Sequence, residues 1–154
     1  MKFEFLFIGK TVDGYLAEGI ERFQRKLVFY MNTEIKIIQA SAEKNKTKAL
    51  KEEAGKILKI ISANDLVVVL DENGRQFSSI DLSKEIQRAM NQSYSKITFI
   101  VGSAYGIDDS LKKRANLMLS FSKFTFTHQM IRLMLVEQIY RSMTILKGES
   151  YHHA

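Results

Sequence analysis

Three short segments carry residue types that could bind or react. Residues 121–128 read Phe121, Ser122, Lys123, Phe124, Thr125, Phe126, Thr127, His128. This alternation of aromatic and small hydroxylic side chains is too short for a core helix. Folded as a loop, it could wall an adenine ring and offer backbone donors and acceptors to it. His128 alone reads more readily as a cap or a buried structural histidine than as a catalyst. A second segment is Leu70, Asp71, Glu72, Asn73, Gly74. Gly74 suits a turn with positive φ, and Asp71 stands where a strand would end. A tight turn with solvated acids explains this segment equally well. The third segment is Gly102, Ser103, Ala104, Tyr105, Gly106. Its small residues would let backbone amides approach a ligand closely. No Lys-Ser or Lys-Thr follows Gly106, so it is not a P-loop. The glycine pattern of a dinucleotide-binding turn is also missing.

The end of the chain adds cations and aromatics. Residues 128–146 have a helical pattern that holds Arg132, Glu137, Gln138, Tyr140 and Arg141 among many aliphatics. The apolar positions run almost all the way round. Such a helix needs cover on more than one side. We expect a homodimer with this helix in the interface; a central helix in a monomeric core is the alternative. The tail of Gly148, Glu149, Ser150, Tyr151, His152 and His153 is polar and aromatic, unlike a frayed end.

Apolar runs and helical patterns alternate along the rest of the chain. Strands are expected at 2–8, 34–38, 66–70, 96–101 and 117–120. Helices are expected at 13–29, 47–61, 80–90 and from Asp108, with Asp81 as a possible cap. This order argues for an α/β fold: an open, mostly parallel sheet with helices on both faces. Ligands of such sheets bind beyond the carboxyl ends of the strands. The three chemistry-bearing segments all fall at such ends. The chain of 154 residues fits one domain, 1–154.

Composition narrows the function classes. The chain has no cysteine, so disulfides, thiolate metal sites and cysteine nucleophiles are excluded, and no metal is expected. No apolar run approaches the roughly 20 residues needed to span a bilayer. Glu4 interrupts the first apolar run, which argues against a signal peptide. A cytoplasmic protein without a membrane partner is expected. The net charge is +6, and from Ser110 onward seven Lys or Arg face two acids. Lys44, Lys46, Lys48 and Lys51 form a second basic cluster. Such a field suits a polyanionic partner, most obviously nucleic acid. A solvated basic face is the competing reading.

The motifs then converge. Leu70, Asp71 and Gly74; Phe99, Ile100, Val101, Gly102 and Gly106; Ser120 through Lys123 with Thr125, Phe126, His128, Gln129 and Arg132; Glu137 through Arg141; and Gly148, Glu149, Tyr151 and His152 occur in order along the chain. Together they resemble the large-subunit (23S) ribosomal RNA pseudouridine N3-methyltransferase family, of the SPOUT class of knotted methyltransferases. The resemblance spans essentially the whole chain. It implies an α/β sheet with a C-terminal deep trefoil knot, an exception to unknotted topology. It implies S-adenosyl-L-methionine as cofactor, held by Leu70, Gly102, Phe121, Ser122, Lys123, Phe124, Thr125 and Phe126. It also implies a homodimer acting on a pseudouridine in a stem-loop of 23S rRNA within the assembled ribosome. Family members often have Gly where Ser103 stands and Pro where Thr127 stands. Neither departure removes a side chain that the chemistry needs.

The N3 atom of pseudouridine must lose a proton before it attacks a methyl group. Candidates to stabilise the resulting anion or position a base are Arg132, Arg141, Tyr151 and His152, with His128 less favoured. Rival readings are a ribosome-binding factor without catalysis, a nucleotide-binding enzyme of another reaction type, and an interaction module.

Overall fold

The computed structural model describes residues 1–153. Ten elements follow one another: β1 (Phe3–Ile8), α1 (Gly14–Leu27), β2 (Thr33–Ile38), α2 (Lys46–Leu58), β3 (Asp65–Gln76), α3 (Ser79–Met90), β4 (Lys96–Val101), α4 (Asp109–Arg114), β5 (Leu117–Ser120) and α5 (His128–Leu146). The strands make one five-stranded sheet in the order β2-β1-β4-β3-β5. Every pairing in it is parallel.

The sequences of β1 and β4 explain their central places. Both are nearly continuous apolar runs, and a strand covered on both faces needs no alternation. One face carries Phe3, Phe5, Phe7 and Phe99, packed under Leu135, Val136 and Ile139 of α5. Phe5 and Phe99 stack with ring centroids 5.0 Å apart. The opposite face carries Leu6, Ile8, Val67, Val69 and Ile100 against Ala54 and Ile57 of α2 and Leu111 of α4. Helices therefore cover both faces, α1, α3 and α5 on one side and α2 and α4 on the other.

Glu4 is fully buried within β1. Burial alone would raise its pKa, but Lys36 at 2.8 Å and Lys96 at 2.5 Å hold the carboxyl below the usual range. The residue that interrupts the first apolar run is thus the centre of an ion cluster at one end of the sheet.

Two expectations need correction. Residues 71–76 do not leave the sheet in a turn at Gly74. β3 runs on to Gln76, with a register shift against β5 between Leu70 and Arg75. Gly74 does not have positive φ. A Cβ there would lie 2.7 Å from the main-chain carbon atoms of Met118 and Leu119. Glycine is required because two backbones nearly touch. The cap of α3 is also displaced: Ser78, not Asp81, accepts the helix amide, from Asp81 N.

Helix α5 gains its cover within the chain. It lies on the sheet between α1 and α3. Its remaining side is half-buried, with Met130 at 38 % exposure.

Candidate active site

A cleft of about 750 Å³ opens at the carboxyl ends of β4 and β5 and beside the register shift of β3, at Leu70–Asn73. Its volume falls within the range of roughly 300–1,000 Å³ usual for small-molecule sites. Each wall has a local cause. The loop after β4 folds back because Gly106 takes φ +92, closing a turn from Gly106 N to Ser103 O at 2.9 Å. Gly102 is pressed against that turn, so a Cβ would lie 2.4 Å from the Gly106 carbonyl oxygen. The loop after β5 is held by its own hydroxyls. Ser120 Oγ donates to Ser122 O at 2.9 Å, and Phe124 N donates to Ser122 Oγ at 3.0 Å. Thr127 then caps α5 by accepting from Met130 N.

Leu70, Gly102, Phe121, Ser122, Phe124, Thr125 and Phe126 all line this cleft. Lys123 does not line it and is exposed. Other residues complete the walls without having been expected there, among them Asp13, Ile107, Lys112, His128, Gln129 and Ile131. Lys112 pairs with Asp71 at 2.8 Å. Burial pushes the Asp71 carboxyl up, but Lys112 and the Asn73 amide outweigh it and keep it ionised. The His128 imidazole is held below its ordinary pKa by burial and by the charge of Arg132. Its Nε2 lies 3.2 Å from Gln129 Nε2, so in the neutral ring Nε2 can accept from the amide.

The four proposed chemistry residues separate into two places. Arg132 is fully buried and faces β1, outside the cleft lining. Its guanidinium donates to Ile8 O at 2.6 Å, Gly9 O at 2.9 Å and Thr11 Oγ1 at 3.0 Å. Burial pushes its pKa down to about 10. Gln129 works beside it, accepting from Val12 N and donating to Lys10 O. Together they fasten the loop that delivers Asp13 to the cleft.

Arg141, Tyr151 and His152 gather at the far end of α5. Arg141 binds Glu137 at 2.5 Å and lies over the Tyr151 ring, 4.7 Å from its centroid. Tyr151 donates to Glu137 Oε1 at 2.9 Å. Arg141 Nη1 lies 3.3 Å from His152 Nδ1. Arginine has only donors, so Nδ1 must accept, and a neutral ring then carries its proton on Nε2. At 1.5 Å per residue, His128 and Arg141 are roughly 20 Å apart along the helix. One chain therefore brings a cleft and an ion-paired, aromatic cluster to opposite ends of the same helix.

No helix is long and apolar enough to cross a membrane among the described residues. No group of three or more His, Asp or Glu suited to a metal ion is found among them either.

A family model described as a predicted SPOUT methyltransferase matches residues 1–152. The chain is 40% identical to the Ribosomal RNA large subunit methyltransferase H of Natranaerobius thermophilus, covering 99% of this chain and 100% of that one. It is 39% identical to the protein of the same name from Streptococcus suis, over 99% of each chain. Among solved structures it resembles the tRNA (m1G37) methyltransferase of Aquifex aeolicus, with TM-score 0.59 and 12% identity over 100% of this chain and 76% of that one. It also resembles the SpoU methyltransferase AviRb of Streptomyces viridochromogenes in complex with AdoMet, with TM-score 0.51 and 10% identity over 96% of this chain and 61% of that one. The structural likenesses establish the fold, and the near-full-length sequence matches establish descent: the chain belongs to the SPOUT methyltransferase family, among its Ribosomal RNA large subunit methyltransferase H members.

Proposed function

We propose that this chain, as one domain and as a cytoplasmic homodimer, transfers a methyl group from S-adenosyl-L-methionine to N3 of a pseudouridine in a 23S rRNA stem-loop of the assembled ribosome. The observation that carries the reading is the cleft built from the ends of β4 and β5 and the register shift of β3. It has the size for the cofactor, apolar walls at Leu70, Phe121 and Phe126, and a tight glycine turn at Gly102. Asp13 and Glu72 at its rim suit a cationic ligand.

Bound there, S-adenosyl-L-methionine supplies a methyl group already activated on a sulfonium sulfur. The protein's task is then to position the base and to manage the N3 proton. That proton would leave to solvent or to a nearby base, after which the methyl group of a cofactor held by the cleft would pass to N3. The free Arg141 N–H groups and the Nε2 proton of His152 can donate to the N3 anion, with the Arg141 charge partly offset by Glu137. Tyr151 offers a ring for stacking on a base. Arg132 acts through the loop it fastens rather than by touching substrate.

The separation of cleft and tail along α5 supports the homodimer. Both cannot act on one methyl group within a single chain, whereas a partner's tail beside the cleft completes the site. The C-terminal trefoil knot is carried over from the family to which the chain belongs. The test is tritiated methyl transfer to ribosomes from a strain lacking this protein, with mapping of the labelled nucleotide. Label at N3 of a 23S pseudouridine is the expected result. Absence of S-adenosyl-L-methionine binding in titration calorimetry, together with absence of transfer, would favour a ribosome-binding factor instead.

A further inference from the structure

The C-terminal tail is held from a segment outside both motifs. Tyr30, in the turn between α1 and β2, donates its hydroxyl to Glu149 Oε2 at 2.5 Å. That hydrogen bond keeps the Tyr30 phenol well above its ordinary pKa, so it remains a donor at any physiological pH. The Tyr30 ring also meets the edge of Tyr140, with centroids 5.9 Å apart. Tyr140 in turn meets Tyr151 at 4.9 Å. Lys26 lies over the Tyr140 ring at 5.4 Å. The tail itself turns sharply off α5 at Gly148, with φ +68, and Gly148 N to Ile145 O and Glu149 N to Thr144 O tie its backbone to the helix.

We propose that Tyr30 is a positioning residue: through Glu149 and Tyr140 it fixes the direction in which the tail presents Tyr151 and His152. The inference rests on the tail's role in the proposed function. Beyond Gly148, the side chains of Tyr151 and His152 rest on Glu137, Tyr140 and Arg141, all on α5. The backbone of Glu149 is bonded to the same helix, so these contacts tie the tail to one element. Tyr30 adds an attachment from a different element, through Glu149 and through the ring of Tyr140 against which Tyr151 packs. A catalytic group displaced by about 1 Å loses as much as 100-fold in rate, so a modest loosening is readable in turnover.

The test compares Tyr30→Phe, Glu149→Ala and Glu149→Gln in methyl transfer to ribosomes, with cofactor binding measured on each. Phenylalanine keeps the ring against Tyr140 and removes only the hydroxyl. Tyr30→Phe is expected to lower kcat about fivefold with cofactor affinity unchanged, while the lost hydrogen bond lowers the melting temperature by no more than about 4 °C. Glu149→Gln keeps an acceptor oxygen and should retain more activity than Glu149→Ala. The Tyr30→Phe, Glu149→Ala double variant should fall no further than the worse single one. Wild-type kcat in Tyr30→Phe, additive losses in the double variant, or a parallel loss of cofactor binding would each overturn the proposal. The double substitution Tyr151→Ala, His152→Ala is run beside them. If it methylates fully, the tail reading itself fails; if it is inactive while Tyr30→Phe is normal, only the positioning role fails.

Discussion

The Arg132 guanidinium donates to the main-chain oxygen of Ile8 at 2.6 Å, joining the last helix to the exit of the first strand. The adjoining residue, Gly9, takes φ +78 and turns its own carbonyl to the same guanidinium. The contact is fully buried, and Arg132 Nε has no partner within it. A cation without a carboxylate is thus held by carbonyls, a hydroxyl and the face of Phe7, 5.1 Å away. The arrangement fixes the loop leading to Asp13 at the rim of the cleft.

Arg132→Met should therefore destabilise the fold and loosen the cleft together. Leaving the Ile8 and Gly9 carbonyls buried without donors costs about 2–4 kcal/mol, which urea unfolding would read as a lower midpoint at unchanged slope. Cofactor affinity in titration calorimetry should fall about tenfold, or 1.4 kcal/mol. Arg132→Lys recovers the charge but not the planar fork, so it should rescue stability only in part.

Three glycine-to-alanine substitutions should separate by what their Cβ meets. Gly102→Ala places carbon against the Gly106 carbonyl at the cleft. It should fold, lose about 1–3 kcal/mol, and bind cofactor poorly. Gly74→Ala forces apart the backbones of β3 and β5, and it should lower expression or melting temperature most. Gly55 lies in α2 with nothing within 4 Å of its Cβ. Gly55→Ala should instead stabilise by about 0.5–1 kcal/mol, through helix propensity. Thermal melts of the three variants check the order.

His128 should give cofactor binding a pH dependence of definite sign. Its folded pKa is depressed by burial and by Arg132, so the ring is neutral at pH 7. The unfolded chain takes the proton more readily than the folded one. Stability from this group is therefore present above the unfolded value of about 6.5 and lost as pH falls through the lower folded pKa. Protonation also adds a cation to a cleft proposed to hold a sulfonium. Affinity for S-adenosyl-L-methionine should decline as pH falls through the folded pKa of His128, which lies below the ordinary imidazole value, and stay flat in His128→Gln. Calorimetry from pH 5 to pH 8 on both proteins is the measurement; parallel curves would show that His128 is not the group responsible.

The sheet was legible because its strands are apolar on both faces, as in the LVVVL run at 66–70 and KITFIV in Lys96–Val101. The polar stretch of 71–76 was not legible as strand. Its pairing with β5 depends on a register shift and on a backbone contact that only Gly74 permits. The cleft loops stood out locally, since Gly102 and Phe121 through Phe126 follow buried strands. Arg132 did not reveal its direction, because a buried arginine and a substrate-facing one look alike in a helix. Its spacing of three residues from Gln129, which fastens the same loop, was the available signal. Tyr30 had no signal at all: its partner Glu149 is 119 residues away.

A composite site across two subunits predicts complementation between inactive variants. Gly102→Ala impairs the cleft, whereas Tyr151→Ala with His152→Ala impairs the tail. If each site takes its cleft from one chain and its tail from the other, a mixed dimer holds one site with both defects and one with none. Unfolding and refolding the two variants together at equal amounts makes half of the dimers mixed. Half of the sites in those dimers are intact, so methyl transfer should recover to about a quarter of the wild-type rate. Cleft and tail acting within the same chain would leave every mixed dimer with two broken sites, and the mixture would stay as inactive as its parents. The roughly 20 Å between His128 and Arg141 along α5 is the geometric reason to expect the former.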